Sequence, residues 1–282
     1  MGRRAVVLGE VVVDLYPDDE VVAGSPLHVA AHLVSLGWTV FLITRIGRDA
    51  RGEQAMSVIA RQGIDPTFVE TDPDLPTGTV TVHTDGELNR FDIHGPASWD
   101  AIAGPRTLPA HDAFFYGTLA TRAPRTRSAQ ERLLAASHAP LRVLDANLRP
   151  PDVAADMVYS AVAAATTAKL SEEELTMACE LFGCEPTAAA LRARFDRLEW
   201  VCVTRGSRGA ELHDRSGRRA ALAPPAARVV NTIGAGDAFT AGLIDGLARG
   251  LTPHGVLDVG QRCATATLSR RGGLPDPPAR MV

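Results

Sequence analysis

Asn231-Thr232-Ile233-Gly234-Ala235-Gly236-Asp237-Ala238-Phe239 leads straight into a helical run over residues 240–249. Two glycines one residue apart let the backbone turn sharply and leave its N–H groups open to a ligand that a Cβ would block. Phe239, Leu243 and Leu247, four residues apart, set one face of a helix on a core. A helix start with free N–H groups attracts an anion. Asp237, in that first turn, has two readings. As a helix cap it stabilises the helix by about 1 kcal/mol and carries no chemistry. As a general base it stands beside a bound phosphate. The stretch alone leaves both readings open, because Gly-x-Gly before a helix is common.

Working outward, the chain alternates strand and helix. Residues 5–13 are rich in valine and end at Asp14, which reads as a buried strand delivering a carboxylate at its C-terminal end. In open α/β sheets that end is where ligands bind. Residues 16–22 read as a short strand outside the main sheet, and Gly24-Ser25-Pro26 turns into a helix over 27–36. A strand over 39–44 and a helix over 52–62 follow. The pattern then changes: Thr79-Val80-Thr81-Val82-His83, Asp85-Gly86 and Arg90-Phe91-Asp92-Ile93 read as a hairpin with an Asp-Gly turn. It interrupts the βα alternation, so it belongs to a small sheet covering the main one, and edge pairing of that sheet with a second copy gives a homodimer. Alternation resumes with strands at 113–116, 141–145, 167–170 and 200–204. Helices are expected over 126–137, 152–165 after Pro150-Pro151, 172–181, 187–198 and 255–269, with short β-segments at 210–213 and 219–222. The consequence is one α/β domain over 1–282, a three-layer α/β/α sandwich with a mainly parallel central sheet. Segments 15–23 and 77–95 form its small β-sheet lid.

A chain of 282 residues has room for one such domain. Its net charge of -4 argues against a nucleic-acid partner, which wants a basic face. Arg218-Arg219 and Arg270-Arg271 therefore read as solvated surface or anion contacts. Lys169 is the only lysine, and without glycines before it a Walker A loop is excluded. Cys179, Cys184, Cys202 and Cys263 form no CxxC pair and read as reduced, buried thiols. No run approaches the roughly 20 apolar residues of a membrane span. Glu10 and Asp14 interrupt the N-terminal apolar stretch too early for a signal peptide, so the expected location is cytoplasmic. His28 and His32 are four apart on a helix, as zinc ligands can be, but no Glu follows His28 and no third ligand accompanies them.

Polar groups recur at successive strand ends: Asp14, Asp145 with Asn147 and Arg149, Lys169 with Ser171 and Glu174, and Thr204 with Gly206. Together with the opening motif they resemble the ribokinase-like (PfkB-type) carbohydrate kinases. Residues 231–242 match the pattern Asp-Thr-x-Gly-Ala-Gly-Asp-x-Phe-x-x-Gly in all but its first position. Ala23-Gly24-Ser25-Pro26, Arg45-Ile46-Gly47-Arg48-Asp49, Asp145-Ala146-Asn147-Leu148-Arg149-Pro150 and Lys169-Leu170-Ser171-Glu172-Glu173-Glu174 extend the likeness collinearly over nearly the whole chain. The last two look like the fructokinase and 2-keto-3-deoxygluconate kinase branch.

The resemblance implies a ribokinase-like fold and transfer of the γ-phosphoryl group of ATP to a hydroxyl of a sugar or sugar acid, of fructose or 2-keto-3-deoxygluconate type. Asp237 corresponds to the base, and Gly234, Ala235 and Gly236 to an anion hole. Such roles suit a reaction that needs positioning and preorganised donors. Asp14, Gly24, Ser25, His28 and Arg149 correspond to the substrate side, and Lys169, Thr204, Gly206, Gly209 and Gly236 to the nucleotide side. Glu174 corresponds to a Mg2+ contact made through water, and a monovalent cation such as K+ is a further candidate. Four positions depart from the pattern: Ala23 stands for Gly, His28 for Asn, Ser171 for Asn and Asn231 for Asp. Two alternatives stand beside this reading, the second motivated by the last three departures. One is a nucleoside kinase of adenosine type, stacking its base on Tyr16 or Phe91. The other is a sugar-binding regulatory homologue with little catalysis.

Overall fold

The computed structural model describes residues 2–85, 88–150, 153–225, 229–270 and 272–278. The N-terminal half runs β1 (Arg4–Leu8), β2 (Val12–Tyr16), β3 (Asp19–Ala23), α1 (Ser25–Ser35), β4 (Thr39–Gly47), α2 (Ala50–Arg61), β5 (Val69–Asp72), β6 (Gly78–Asp85), β7 (Leu88–Ile93) and β8 (Ala113–Gly117). It continues through α3 (Pro124–Ala136), β9 (Leu141–Asp145), α4 (Ala155–Ala164), β10 (Thr167–Ser171), α5 (Glu172–Phe182), α6 (Ala188–Arg194) and β11 (Trp200–Thr204). The last elements are β12 (Ala210–Asp214), β13 (Arg219–Leu222), α7 (Ala235–Ala248) and α8 (Pro253–Leu268).

Among the described residues nine strands form the large sheet, ordered β13-β12-β11-β10-β9-β8-β1-β4-β5. All its pairings are parallel except β11 with β12 and β12 with β13. Its central strands are buried on both faces. Val6, Leu8, Phe114, Tyr116 and Leu144 pack with the α3–α6 layer. Ala5, Val7, Phe115 and Val143 pack with α1, α2 and α7. This is why these strands read as unbroken apolar runs. From β1 the chain first builds outward through β4 and β5, then returns to build the other way from β8. The strand order therefore reverses between β1 and β8, and a crevice opens at the carboxyl ends on either side of such a switch point.

A second sheet, ordered β3-β2-β6-β7, covers that end. The β6–β7 hairpin pairs as expected, Val80 opposite Ile93 and Val82 opposite Phe91; the Gly86 of its turn lies outside the described residues. One expectation fails here in an informative way. Residues 5–13 are not one strand: β1 ends at Leu8, Gly9 to Val11 cross over, and β2 belongs to the small sheet, where it pairs with β3 and β6. Asp14 thus comes from the covering sheet and not from the end of a main-sheet strand. Val11 and Val13 are fully buried on the far side of the break, so hydrophobicity alone could not reveal it. Smaller corrections follow. Helix α4 begins at Ala155, with Pro151 and Asp152 outside the described residues, and α6 stops at Arg194. Helix α7 begins at Ala235, five residues before the expected run, with Asp237 inside its first turn as anticipated. Strand β5 was not anticipated. Of the four free thiols, Cys179 and Cys202 are buried, whereas Cys184 and Cys263 are partly exposed.

Candidate active site

Asp237 is the third residue of α7, whose N-cap, Gly234, is left-handed at φ 77°. A Cβ on Gly234 would come within 2.3 Å of the Gly273 Cα, so two backbones meet here with no room for a side chain. The first residues of a helix have no intrahelical acceptor for their N–H groups. Ala235 spends its own on the Thr232 carbonyl at 3.3 Å, and the first bond of the helical ladder runs from Ala238 to Gly234. The donors at this helix start are thus those of Gly236 and Asp237. Ala235, expected in the anion hole, has its N–H turned to the Thr232 carbonyl.

Both oxygens of Asp237 are held from α1. Ser25 Oγ donates to Oδ1 at 2.7 Å, and His28 Nδ1 lies 2.8 Å from Oδ2. Burial would raise this carboxyl; the hydrogen bonds from His28 and Ser25, with the charges of His28 and Lys169, outweigh it and hold the group below its ordinary value. Helix α1 can approach because Gly24, its N-cap at φ 124°, leaves the space a Cβ would take against the Glu10 carbonyl, 2.5 Å away. Without that glycine the β1–β2 crossover and the start of α1 could not cross so closely.

A cavity of about 470 Å³ lies in front of Asp237. Its walls bring together Asp14, Gly24, Ser25, His28, Arg149, Lys169, Glu174, Gly234 and Gly236, all of them anticipated. Phe91 also lines it, and Tyr16 does not. Arg149 stands with its guanidinium 5.8 Å from the Phe91 ring and makes no ion pair with another described residue. Asn147, in the loop after β9, takes a positive φ of 41° on the same wall. Behind these residues Lys169 Nζ reaches both oxygens of buried Asp145 at 3.0 Å, and Thr240 Oγ1 donates to Asp145 Oδ2 at 2.9 Å. Burial pushes Asp145 up to about 6 against the pull of Lys169, and Asp145 with Glu174 keeps the Lys169 ammonium charged. Glu174 closes a capping box: its Oε2 accepts from Ser171 N at 2.8 Å, while Ser171 Oγ accepts from Glu174 N at 3.1 Å. Its Oε1 accepts from Leu148 N at 2.9 Å, which ties the 145–150 loop to the start of α5.

Glu10 was missed as a site residue. It sits in the β1–β2 crossover on the cavity wall, 3% exposed, and burial raises its carboxyl to about 7, with the charge of Asp237 adding to the effect. The Gly9-Glu10 interruption of the valine run was the available signal. Asp14 is likewise raised by burial, to about 6, against the charge of His28. A second cavity, about 360 Å³ and mostly apolar, adjoins the first through Thr232 and Gly236. Thr204, Gly206 and Gly209, expected on the nucleotide side, line it together, and Phe239, Ala264 and Leu268 form a further wall.

A doubly sided α/β sheet, a switch-point crevice and a carboxylate at an anion-attracting helix start define a protein that handles a phosphorylated or phosphoryl-donating ligand. Residues 3–280 match the model of the pfkB family carbohydrate kinases, and the chain belongs to that family. It is 30% identical over 300 residues to a fructokinase of Klebsiella pneumoniae, covering 97% of this chain and 96% of the relative. It is 28% identical to an aminoimidazole riboside kinase of Salmonella typhimurium over 88% of this chain and 82% of the relative. Among solved structures, a fructokinase double mutant from Vibrio cholerae with fructose, ADP and potassium superposes with a TM-score of 0.80 at 24% identity, covering 97% and 94% of the two chains. A Burkholderia thailandensis nucleoside kinase with inosine gives 0.81 at 17% identity, covering 98% and 95%. The protein is thus a sugar kinase of this family, a phosphotransferase acting on a sugar hydroxyl. Among the described residues no helix is long and apolar enough to cross a membrane.

Proposed function

We propose that this protein transfers the γ-phosphoryl group of ATP to a hydroxyl of a fructose-type ketose or a 2-keto-3-deoxy sugar acid. The observation that carries the reading is the position of Asp237: its carboxylate faces the polar cavity beside Gly236, where that cavity meets the apolar one. In this reading the sugar occupies the polar cavity, held by Asp14, Gly24, Ser25, His28 and Arg149. The nucleotide lies along Thr204, Gly206 and Gly209, with its phosphates toward Gly236 and Lys169. Asp237 accepts the proton of the attacking hydroxyl as the new O–P bond forms. The bond from the γ-phosphorus to the bridging oxygen breaks, and its electron pair leaves with ADP. The N–H groups of Gly236 and Asp237 meet charge developing on the transferred group.

The donor set suits a Mg2+ held chiefly by phosphates and water, because both Glu174 oxygens already accept backbone N–H bonds. Bound there, the ion would neutralise phosphate charge, and Glu174 would meet it through water. The small sheet serves as a lid, and its outer strand β7, paired only with β6 among the described residues, offers an edge to a second copy. We place the enzyme in the cytoplasm.

Fructokinases recur among the relatives, which favours fructose. Arg149, without a carboxylate partner among the described residues, favours an anionic sugar. Phe91 on the cavity wall favours a nucleoside as the second reading. Measuring ADP formation with fructose, 2-keto-3-deoxygluconate, ribose and adenosine separates them. Turnover of adenosine alone would overturn the sugar reading. Sugar binding without turnover of any acceptor would overturn the kinase reading in favour of a regulatory homologue.

A further inference from the structure

His28 stands where the resemblance expects Asn, and its ring contacts the base itself. An ionised carboxylate only accepts hydrogen bonds, so His28 must donate from Nδ1 to Asp237 Oδ2, as Ser25 donates to Oδ1. The two donors fix the plane of the carboxylate. The ring is in turn confined: its side chain is 5% exposed, and a Cβ on Gly273 would fall 2.6 Å from Cε1. Gly273 is anchored by its carbonyl, 2.9 Å from His32 Nε2.

We propose that His28 is a positioning residue for Asp237, orienting the carboxylate through Nδ1–H and making the strength of the base follow the charge of the imidazole. The proposal rests on the kinase reading. When the substrate hydroxyl attacks, its proton passes to Asp237 while the O–P bond forms and ADP departs with the electrons of the broken bond. A neutral imidazole supports that transfer. An imidazolium at 2.8 Å stabilises the ionised carboxylate and weakens it as a proton acceptor. Several groups face the ring or the carboxylate. From β2, Asp14 acts on the ring. On α1, His32 is pushed down to about 4 by burial and stays neutral. Glu10 in the crossover and Lys169 on β10 act on Asp237. The Gly273 strap adds no charge beside the ring.

The test compares kcat against pH for the wild type, His28→Asn and His28→Leu with the best acceptor. The wild type should lose kcat on the acid side, where an imidazolium beside Asp237 would hold the carboxylate ionised. Asn keeps an N–H donor and cannot charge, so His28→Asn should retain kcat within about tenfold and lose that acid limb. His28→Leu should lower kcat about 10–100-fold because it removes the donor that orients the carboxylate, with KM rising as well because the ring also lines the sugar cavity. An identical acid limb in His28→Asn, or an unaltered kcat in His28→Leu, would overturn the proposal. A second measurement needs no turnover. In 15N NMR the His28 ring should carry its proton on Nδ1 in the wild type and redistribute it in Asp237→Ala, which removes the acceptor. An unchanged tautomer rejects the pairing even if no acceptor is ever phosphorylated, and a changed tautomer without turnover faults the kinase reading instead.

Discussion

The two cavities that meet at Gly236 are built on opposite principles. The one in front of Asp237 is walled by Glu10, Asp14, His28, Asp145, Arg149 and Lys169, and three of its carboxyls are raised by burial. The one behind is walled by small residues with Phe239, Ala264 and Leu268, and contains no ionisable side chain among its described residues. The difference teaches where the protein spends polarity. A flat aromatic base needs only an apolar slot, whereas deprotonating a hydroxyl and orienting a sugar require buried groups whose charges are tuned against one another. Each buried charge on the polar side must be matched, as Asp145 is by Lys169 and Thr240.

Substitutions should expose this asymmetry. The largest effect belongs to Asp237→Asn, which should lower kcat by about 10³-fold or more while sugar affinity, followed calorimetrically, changes little. Retained activity would reduce Asp237 to an acceptor that ties α7 to α1 through Ser25 and His28. Next, Lys169→Met strands Asp145 and should cost about 3–5 kcal/mol of unfolding free energy in urea titrations. If Lys169 served the nucleotide alone, ATP affinity would fall while stability held.

Glu10→Gln tests the tuning by pH. The native carboxyl titrates near 7, above the ordinary 4.5, so the folded state keeps a proton that the unfolded state has released. Wild-type stability therefore falls as pH rises from 4.5 to 7. The variant should match the wild type below pH 4.5 and exceed it by up to about 3 kcal/mol above pH 7, read from thermal denaturation across pH. Superimposable curves would show that the wild-type carboxyl is not held protonated. The smallest effect belongs to the apolar side: Ala264→Leu should raise KM for ATP about tenfold and leave kcat unchanged. A loss in kcat there would break the division between the cavities.

Much of this was legible in the sequence because it was local. The glycines and aspartate of 234–237, the β6–β7 hairpin and the strand over 200–204 each carry their signal within a few residues. The β1–β2 break was not, because Val11, Val12 and Val13 are buried whichever sheet they join. Strand β5, Val69-Glu70-Thr71-Asp72, carries too few apolar residues to announce an edge strand. The Ala235–Thr232 bond depends on how the turn folds and not on which residues compose it. The contact between His28 and Asp237 joins residues 209 apart, and no periodicity within a helix or strand can encode it.

That separation has a consequence for the life of the chain on the ribosome. Ser25 and His28 are made early, but Asp237 follows more than two hundred residues later, and α7 packs against α1 only once it has emerged. The two donors on α1 are therefore made long before the carboxylate they hold. Products ending before α7 would leave Ser25 and His28 without that partner.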